Sequence, residues 1–258
     1  MPGRPEPLRR LISPAMTGAP GSNGPGPIAL VGSGEFLPAM EAVDAGLLAG
    51  RPARAVFLPT AAGPEGPARV DYWVRLGAAH YRRLGAEPVP LRVLDRDDAS
   101  DPAFAAQVDG AGLVYLSGGN PGHLADTLRG TAVLEAILAA WRAGAALAGC
   151  SAGACALTDV ADDTRNGAAR PGLAVVPGLV VLPHFDRIER WSPGIVDRKA
   201  RALAAGQTLI GIDEETALVG DDDGGWRVEG RRRVWVIGPD GTRTPHAAGA
   251  TLAFPVLT

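Results

Sequence analysis

One short stretch limits the folds open to this chain more than any other. Ala145-Ala146-Leu147-Ala148 is a run of small apolar residues suited to a buried strand, and it passes directly into Gly149-Cys150-Ser151-Ala152-Gly153. Glycine-x-serine-x-glycine between a strand and a helix is the pattern of a nucleophile elbow. The residue types follow from sterics. A sharp turn strains the backbone at the serine, and glycines two positions either side let neighbouring backbone approach where a Cβ would clash. The Ser151 hydroxyl is then lifted above the end of the sheet, and the N–H of Ala152, at the start of the next helix, is available to an oxyanion. An ordinary glycine-rich turn that happens to hold a serine has the same five-residue pattern, so the rest of the chain must decide.

Apolar runs at 27–31, 54–59, 87–94 and 112–116 read as further strands, the last buried on both faces. Helical patterns lie between them at 37–49, 68–84, 101–109, 124–128 and 132–142. This alternation predicts a three-layer α/β/α fold, flavodoxin-like, with a mostly parallel sheet covered on both faces. Sites in such sheets lie at the carboxyl ends of strands, where both 117–123 and 149–153 fall. Gly32-Ser33-Gly34-Glu35 resembles the first turn of a dinucleotide-binding fold, but Leu37 stands where the third glycine belongs, and no cofactor is expected. Beyond the elbow helix come a polar segment at 159–171, a helix at 193–205, and strands at 208–213 and 216–219 flanking Asp213-Glu214-Glu215. Alternating strands at 225–229 and 234–237 predict a small antiparallel meander at the C-terminal end, whose exposed edge allows a homodimer. Residues 1–26, rich in Pro, Gly and Ser, read as a disordered leader before a single domain over 27–258.

Composition removes several function classes. The net charge is −3 with no basic patch, which leaves no footprint for nucleic acid. No apolar run reaches membrane-spanning length, and the arginines near the start precede no apolar signal segment. Two cysteines, Cys150 and Cys155, are too few for a disulfide scaffold and suit a reducing cytoplasm. Four scattered histidines predict no metal site. Lys199 is the only lysine among 25 basic residues, which disfavours a Ser–Lys dyad.

A serine nucleophile needs a base, and the base needs an orienting group. His80 lies in a helical run and reads as a surface residue; His246 lies in a Thr/Pro/Ala-rich segment; His123 starts a helix after Gly-Gly-Asn-Pro-Gly. His184 ends the apolar run 179–182 and is the strongest base candidate, at a strand end of the same sheet as Ser151.

Taken together, Val31-Gly32-Ser33-Gly34-Glu35, Ser117-Gly118-Gly119-Asn120, Gly149-Cys150-Ser151-Ala152-Gly153-Ala154, Pro183-His184-Phe185-Asp186 and Gly211-Ile212-Asp213-Glu214-Glu215-Thr216-Ala217-Leu218 resemble the cyanophycinase and dipeptidase E family of serine peptidases, which share the class I glutamine-amidotransferase-like fold. The resemblance implies Ser151 as nucleophile, His184 as base, and the N–H groups of Gly119 and Ala152 as oxyanion hole. It places the third triad member between serine and histidine, which points to Asp162 or Asp163, with Asp159 also in that segment and Glu214 or Glu215 as acids from a neighbouring strand end. Asn120, Arg187 and Glu215 are candidates for substrate binding; arginine can grip a carboxylate with two hydrogen bonds. Cys150, one position before the apex, is expected to pack into the sheet. The implied substrates are small peptides or isopeptides, such as Asp-containing dipeptides or β-aspartyl-arginine units. A binding module that kept the elbow without catalysis, and an amidase or esterase on a non-peptide metabolite, remain alternatives.

Overall fold

The structure, a computed structural model, describes residues 24–220 and 225–254. The strands are β1 Ile28–Val31, β2 Arg54–Leu58, β3 Glu87–Pro90, β4 Leu113–Leu116, β5 Ala146–Cys150, β6 Leu179–Pro183, β7 Thr208–Ile212, β8 Thr216–Gly220, β9 Gly225–Gly230, β10 Arg233–Ile237, β11 Arg243–Ala247 and β12 Thr251–Ala253. The helices are α1 Glu41–Leu48, α2 Pro67–Arg83, α3 Arg96–Ser100, α4 Pro102–Ala105, α5 Pro121–Leu128, α6 Ala132–Arg142, α7 Ala152–Leu157, α8 Phe185–Trp191 and α9 Ile195–Arg201.

The main sheet has the order β12-β9-β8-β1-β5-β4-β2-β3. The strands from β1 to β3 in that order are parallel, and β8, β9 and β12 extend the sheet antiparallel beyond β1. Strand side chains alternate between faces. Val31, Phe57, Tyr115 and Cys150 therefore share one core layer with Val43 and Leu47 of α1 and Tyr81 of α2. Leu30, Leu58, Leu116 and Leu147 share the other with Leu124 of α5 and Ile137 and Trp141 of α6. Each large apolar side chain so buried contributes about 1.5–3 kcal/mol relative to exposure. This is the three-layer, mostly parallel architecture that the strand–helix alternation predicts. The leader expected over 1–26 falls, up to residue 23, outside the described residues. Gly26 belongs to the fold, because its N–H donates to the Trp141 carbonyl at 2.8 Å and its carbonyl accepts from Trp141 Nε1 at 2.7 Å.

The C-terminal part is organised differently from a meander. A second sheet, in the order β11-β10-β7-β6, stands apart from the main one. β7 and β8 form one arm of a long hairpin, and β9 and β10 form the other. A single register runs from Leu209↔Ile237 in the second sheet to Gly220↔Trp226 in the main sheet. The hairpin bends at Asp213–Glu215, opposite Arg231–Arg233. Glu215 has φ 55° and Gly230 φ 96°; a Cβ on Gly230 would lie 2.4 Å from the Glu215 carbonyl oxygen. The strands read at 225–229 and 234–237 are thus successive parts of one bent arm and do not pair with each other. β6 lies parallel to β7, and Val180, Leu182, Phe185, Val196 and Leu209 close a third small core beneath α8 and α9.

His80 also departs from its surface reading. Its side chain is fully buried, with Nε2 2.7 Å from Oδ2 of an equally buried Asp44. His80 stands four residues after Leu76 and seven after Trp73, on the same side of α2 as the apolar residues that pack on the core, so helical periodicity turns it inward. Burial raises the Asp44 carboxyl above its usual range, and the His80 hydrogen bond offsets part of that.

Candidate active site

Ser151 stands between β5 and α7 with φ 51° and ψ −103°, a conformation rarely adopted by non-glycine residues. Both elbow glycines are sterically required. A Cβ on Gly149 would lie 2.5 Å from the Gly153 carbonyl, and one on Gly153 would lie 2.2 Å from the Leu116 carbonyl oxygen. The Ser151 N–H donates to the Val31 carbonyl at 2.9 Å, anchoring the turn to β1.

The Ser151 hydroxyl lies 2.8 Å from His184 Nε2. His184 follows β6 and so comes from the second sheet, not from the sheet of Ser151 as the sequence suggests. It too is strained, at φ 132°. Gly211 of β7 makes its position possible, since a Cβ there would lie 2.3 Å from the Phe185 ring. Strain at two adjacent polar residues is a common mark of a functional site.

The other nitrogen of the ring, Nδ1, lies 3.4 Å from Glu214 Oε1. Glu214 sits at the bend of the long hairpin, and its own N–H donates to Asp186 Oδ1 at 3.0 Å. Arg187 Nε is 3.6 Å from Glu214 Oε2 and 3.5 Å from Asp186 Oδ2, so this arginine braces the carboxylate beside the histidine.

Asp162 and Asp163 do not reach His184. Segment 159–172 folds back on itself through a Val160↔Pro171 bridge, and this turns both acids toward other partners. Asp162 pairs with Lys199. Asp163 accepts from Asn120 Nδ2 at 2.8 Å and from the Arg165 N–H at 3.0 Å. The Asn120 hydrogen bond is the main reason its carboxyl is held below the usual range. Asp159 accepts from Gln207 Nε2 at 2.8 Å. Asn120, expected to bind substrate, spends its amide inside the fold: Oδ1 accepts from the His123 N–H at 3.0 Å, capping α5, and Nδ2 holds Asp163. His123 is itself tied to the Leu94 carbonyl at 3.0 Å. Glu215 lines the cleft and accepts from Arg231 Nη1 at 3.2 Å.

The N–H groups of Gly119 and Ala152 make no hydrogen bond among the described residues. Gly119 has φ 142°, and a Cβ there would meet the Ala61 carbonyl oxygen at 2.3 Å. Glu35 joins the two segments that carry these donors. Its Oε1 accepts from the Gly118 N–H at 2.9 Å and its Oε2 from the Cys150 thiol at 3.0 Å. Gly118 and Cys150 each sit just ahead of a chain that presents a free N–H, so one buried carboxylate sets the spacing of both. Burial pushes the Cys150 thiol well above its usual range, which keeps it a neutral donor. Glu35 is visible in the sequence as part of a matching stretch, but its role is not, because its partners lie 83 and 115 residues away.

Ser151 and His184 border two cavities. A polar one of about 450 Å³ is lined by Glu35, Arg69, Tyr72, Trp73, Glu214 and Glu215. A second, of about 350 Å³, opens toward β6, α8 and α9. Trp191 stands edge-on to the His184 ring, with centroids 5.2 Å apart. Among the described residues no helix is long and apolar enough to cross a membrane.

A serine on a strained strand-to-helix turn, bonded to a histidine whose second nitrogen faces a carboxylate, is the arrangement used by serine hydrolases. Residues 28–226 match peptidase family S51, and the chain belongs to this family, that of cyanophycinase and dipeptidase E serine peptidases. It is 30% identical over 182 residues to a cyanophycinase of Trichormus variabilis, covering 64% of this chain and 59% of that protein. It is 28% identical over 187 residues to one of Synechococcus elongatus, covering 68% and 57%. The chain therefore spans less than three fifths of the length of these curated relatives. Among solved structures, a peptidase from an acI-B1 Actinobacterium superposes with a TM-score of 0.82 at 37% identity, covering 90% of this chain and 98% of that one. A putative peptidase E protein from Listeria monocytogenes, at 17% identity and a TM-score of 0.54, shares the fold.

Proposed function

We propose that the protein is a cytoplasmic serine peptidase that cleaves small peptide or isopeptide bonds through an acyl-enzyme on Ser151. The observation that carries this reading is the 2.8 Å approach of Ser151 Oγ to His184 Nε2. His184 Nε2 accepts the hydroxyl proton as Oγ attacks the scissile carbonyl. Nδ1–H donates to Glu214, which holds the ring in this tautomer and stabilises the imidazolium that forms. The N–H groups of Gly119 and Ala152 receive the oxyanion; one such donor is typically worth about 3–4 kcal/mol in the transition state. His184 then returns the proton to the leaving amine, and water, deprotonated by the same nitrogen, releases the acyl group. The family relationship favours Asp-containing dipeptides or β-aspartyl-arginine units as substrates. The two cysteines are free and buried, which suits a reducing compartment.

Hydrolysis of a panel of α- and β-aspartyl dipeptides, followed by release of free amino acids, tests the reading. Turnover by the wild type and its loss in Ser151→Ala and His184→Ala are expected. Equal turnover by wild type and Ser151→Ala would overturn it.

A further inference from the structure

The second cavity points to a substrate preference that the family relationship does not. It shares Gly119, Ser151 and His184 with the polar cleft, so a group within it lies next to the reacting hydroxyl. Its apolar walls include Val160 of the loop after α7, Leu182 of β6, Ile188 and Trp191 of α8, and Ile195 of α9, with the hydroxyls of Thr164 and Ser192 at its border. Trp191 is 62% exposed, which leaves its indole available to cover an incoming side chain. Among the described residues, the charged side chains lining this cavity besides His184 are Asp162 and Lys199, and these are paired with each other.

We infer that this cavity is a subsite for one large neutral apolar side chain, of leucine, methionine or phenylalanine size, beside the scissile bond. The inference rests on the serine-peptidase reading above. A substrate carboxylate entering here meets Asp162 as a like charge and gains Lys199 only by breaking its pair. A substrate guanidinium meets the reverse problem at Lys199. A neutral apolar group leaves the pair intact and gains the transfer free energy of its own buried surface. Size agrees: a closed apolar cavity of about 150 Å³ suffices for a benzene ring, so about 350 Å³ admits one aromatic or large aliphatic side chain with its backbone attachment. Charged substrate groups have other side chains to meet in the polar cleft, which Glu65, Arg69, Glu214 and Glu215 line.

The test is a matrix of dipeptides with Ala, Leu, Phe, Asp or Arg placed on either side of the bond, assayed with the full chain. In one of the two orders, Leu and Phe are expected to exceed Ala, Asp and Arg in kcat/KM by about tenfold or more. Ile195→Trp, which fills the cavity, is expected to reduce the Phe-to-Ala ratio to about threefold or less. A measurement on the wild type alone gives a second test: phenethylboronic acid is expected to slow fluorophosphonate labelling of Ser151 at about tenfold lower concentration than a carboxyalkylboronic acid of similar length. Absence of any Leu or Phe preference, a ratio unchanged in a folded Ile195→Trp, or equal potency of the two boronic acids each overturns the subsite. If the wild type neither labels nor hydrolyses any peptide, the serine-peptidase reading has failed, and this inference with it.

Discussion

Replacing Glu214 with glutamine keeps the length and shape of the side chain and removes its charge. The charge matters when His184 becomes an imidazolium beside it, and the structure bounds by how much. Two unit charges 3.4 Å apart attract by about 4–5 kcal/mol at the effective dielectric of about 20 that suits partly buried pairs. Both side chains are about a quarter exposed, and Arg187 lies 3.6 Å from the other carboxylate oxygen. Water and this cation reduce the gain to roughly half, about 2–3 kcal/mol. At about 1.36 kcal/mol per tenfold, Glu214→Gln should lower kcat/KM by roughly 30- to 150-fold. This is less than the loss of about 10⁴ seen where a buried, closely bonded aspartate fills the role. The assay is initial-rate hydrolysis of the best dipeptide, with Asp163→Asn, which removes an acid whose partners are Asn120 and Arg165, as the comparison. That variant should stay within about threefold of wild type per folded molecule. A loss below threefold in Glu214→Gln, or a larger loss in Asp163→Asn, would refute the assignment of Glu214.

Three other outcomes follow from the geometry. Gly153→Ala places a Cβ 2.2 Å from the Leu116 carbonyl oxygen, which belongs to a central strand and has no room to yield; a loss of at least about 2 kcal/mol in urea denaturation is expected. Cys150 is buried and held well above its usual pKa, and burial pushes Cys155 up to about 12, so neither thiol should react with iodoacetamide near pH 8 until the protein is unfolded. Asp163 is depressed in the fold, so its contribution is complete above the ordinary value of 3.8 and is lost as pH falls through the lower folded value. The stability gap between wild type and Asp163→Asn, from denaturation curves at several pH values, should therefore be widest near neutrality and should close in acid.

The parts of this structure legible in the sequence are those set by local rules. The buried strands β1, β2, β4 and β5 are short apolar runs, and the elbow is a five-residue pattern whose glycines answer clashes within or beside it. The parts that were not legible depend on where distant segments meet. The bend at Asp213–Glu215 is forced by Gly230 packing against Glu215, fifteen residues on, and only the shared register of β7–β10 and β8–β9 reveals that one hairpin serves two sheets. Hence the sequence alone puts His184 in the sheet of Ser151 and points to Asp162 or Asp163 for the acid, with Asp159, Glu214 and Glu215 as alternatives. Asp162, Asp163 and Asn120 have the right chemistry for the roles first given them, but the fold-back of 159–172 commits them to Lys199 and to each other. The inward position of His80 follows from its place on the apolar side of α2, whereas its partner, Asp44, lies on another helix and is not visible from spacing.

The central claim is that Ser151 is a nucleophile activated by His184. Intact-mass and peptide mapping after treatment with a small fluorophosphonate tests it most directly. The account predicts one adduct per chain, located on Ser151, absent in Ser151→Ala and formed far more slowly in His184→Ala. A folded wild-type protein that takes up no label, or a label that persists in Ser151→Ala, would contradict it.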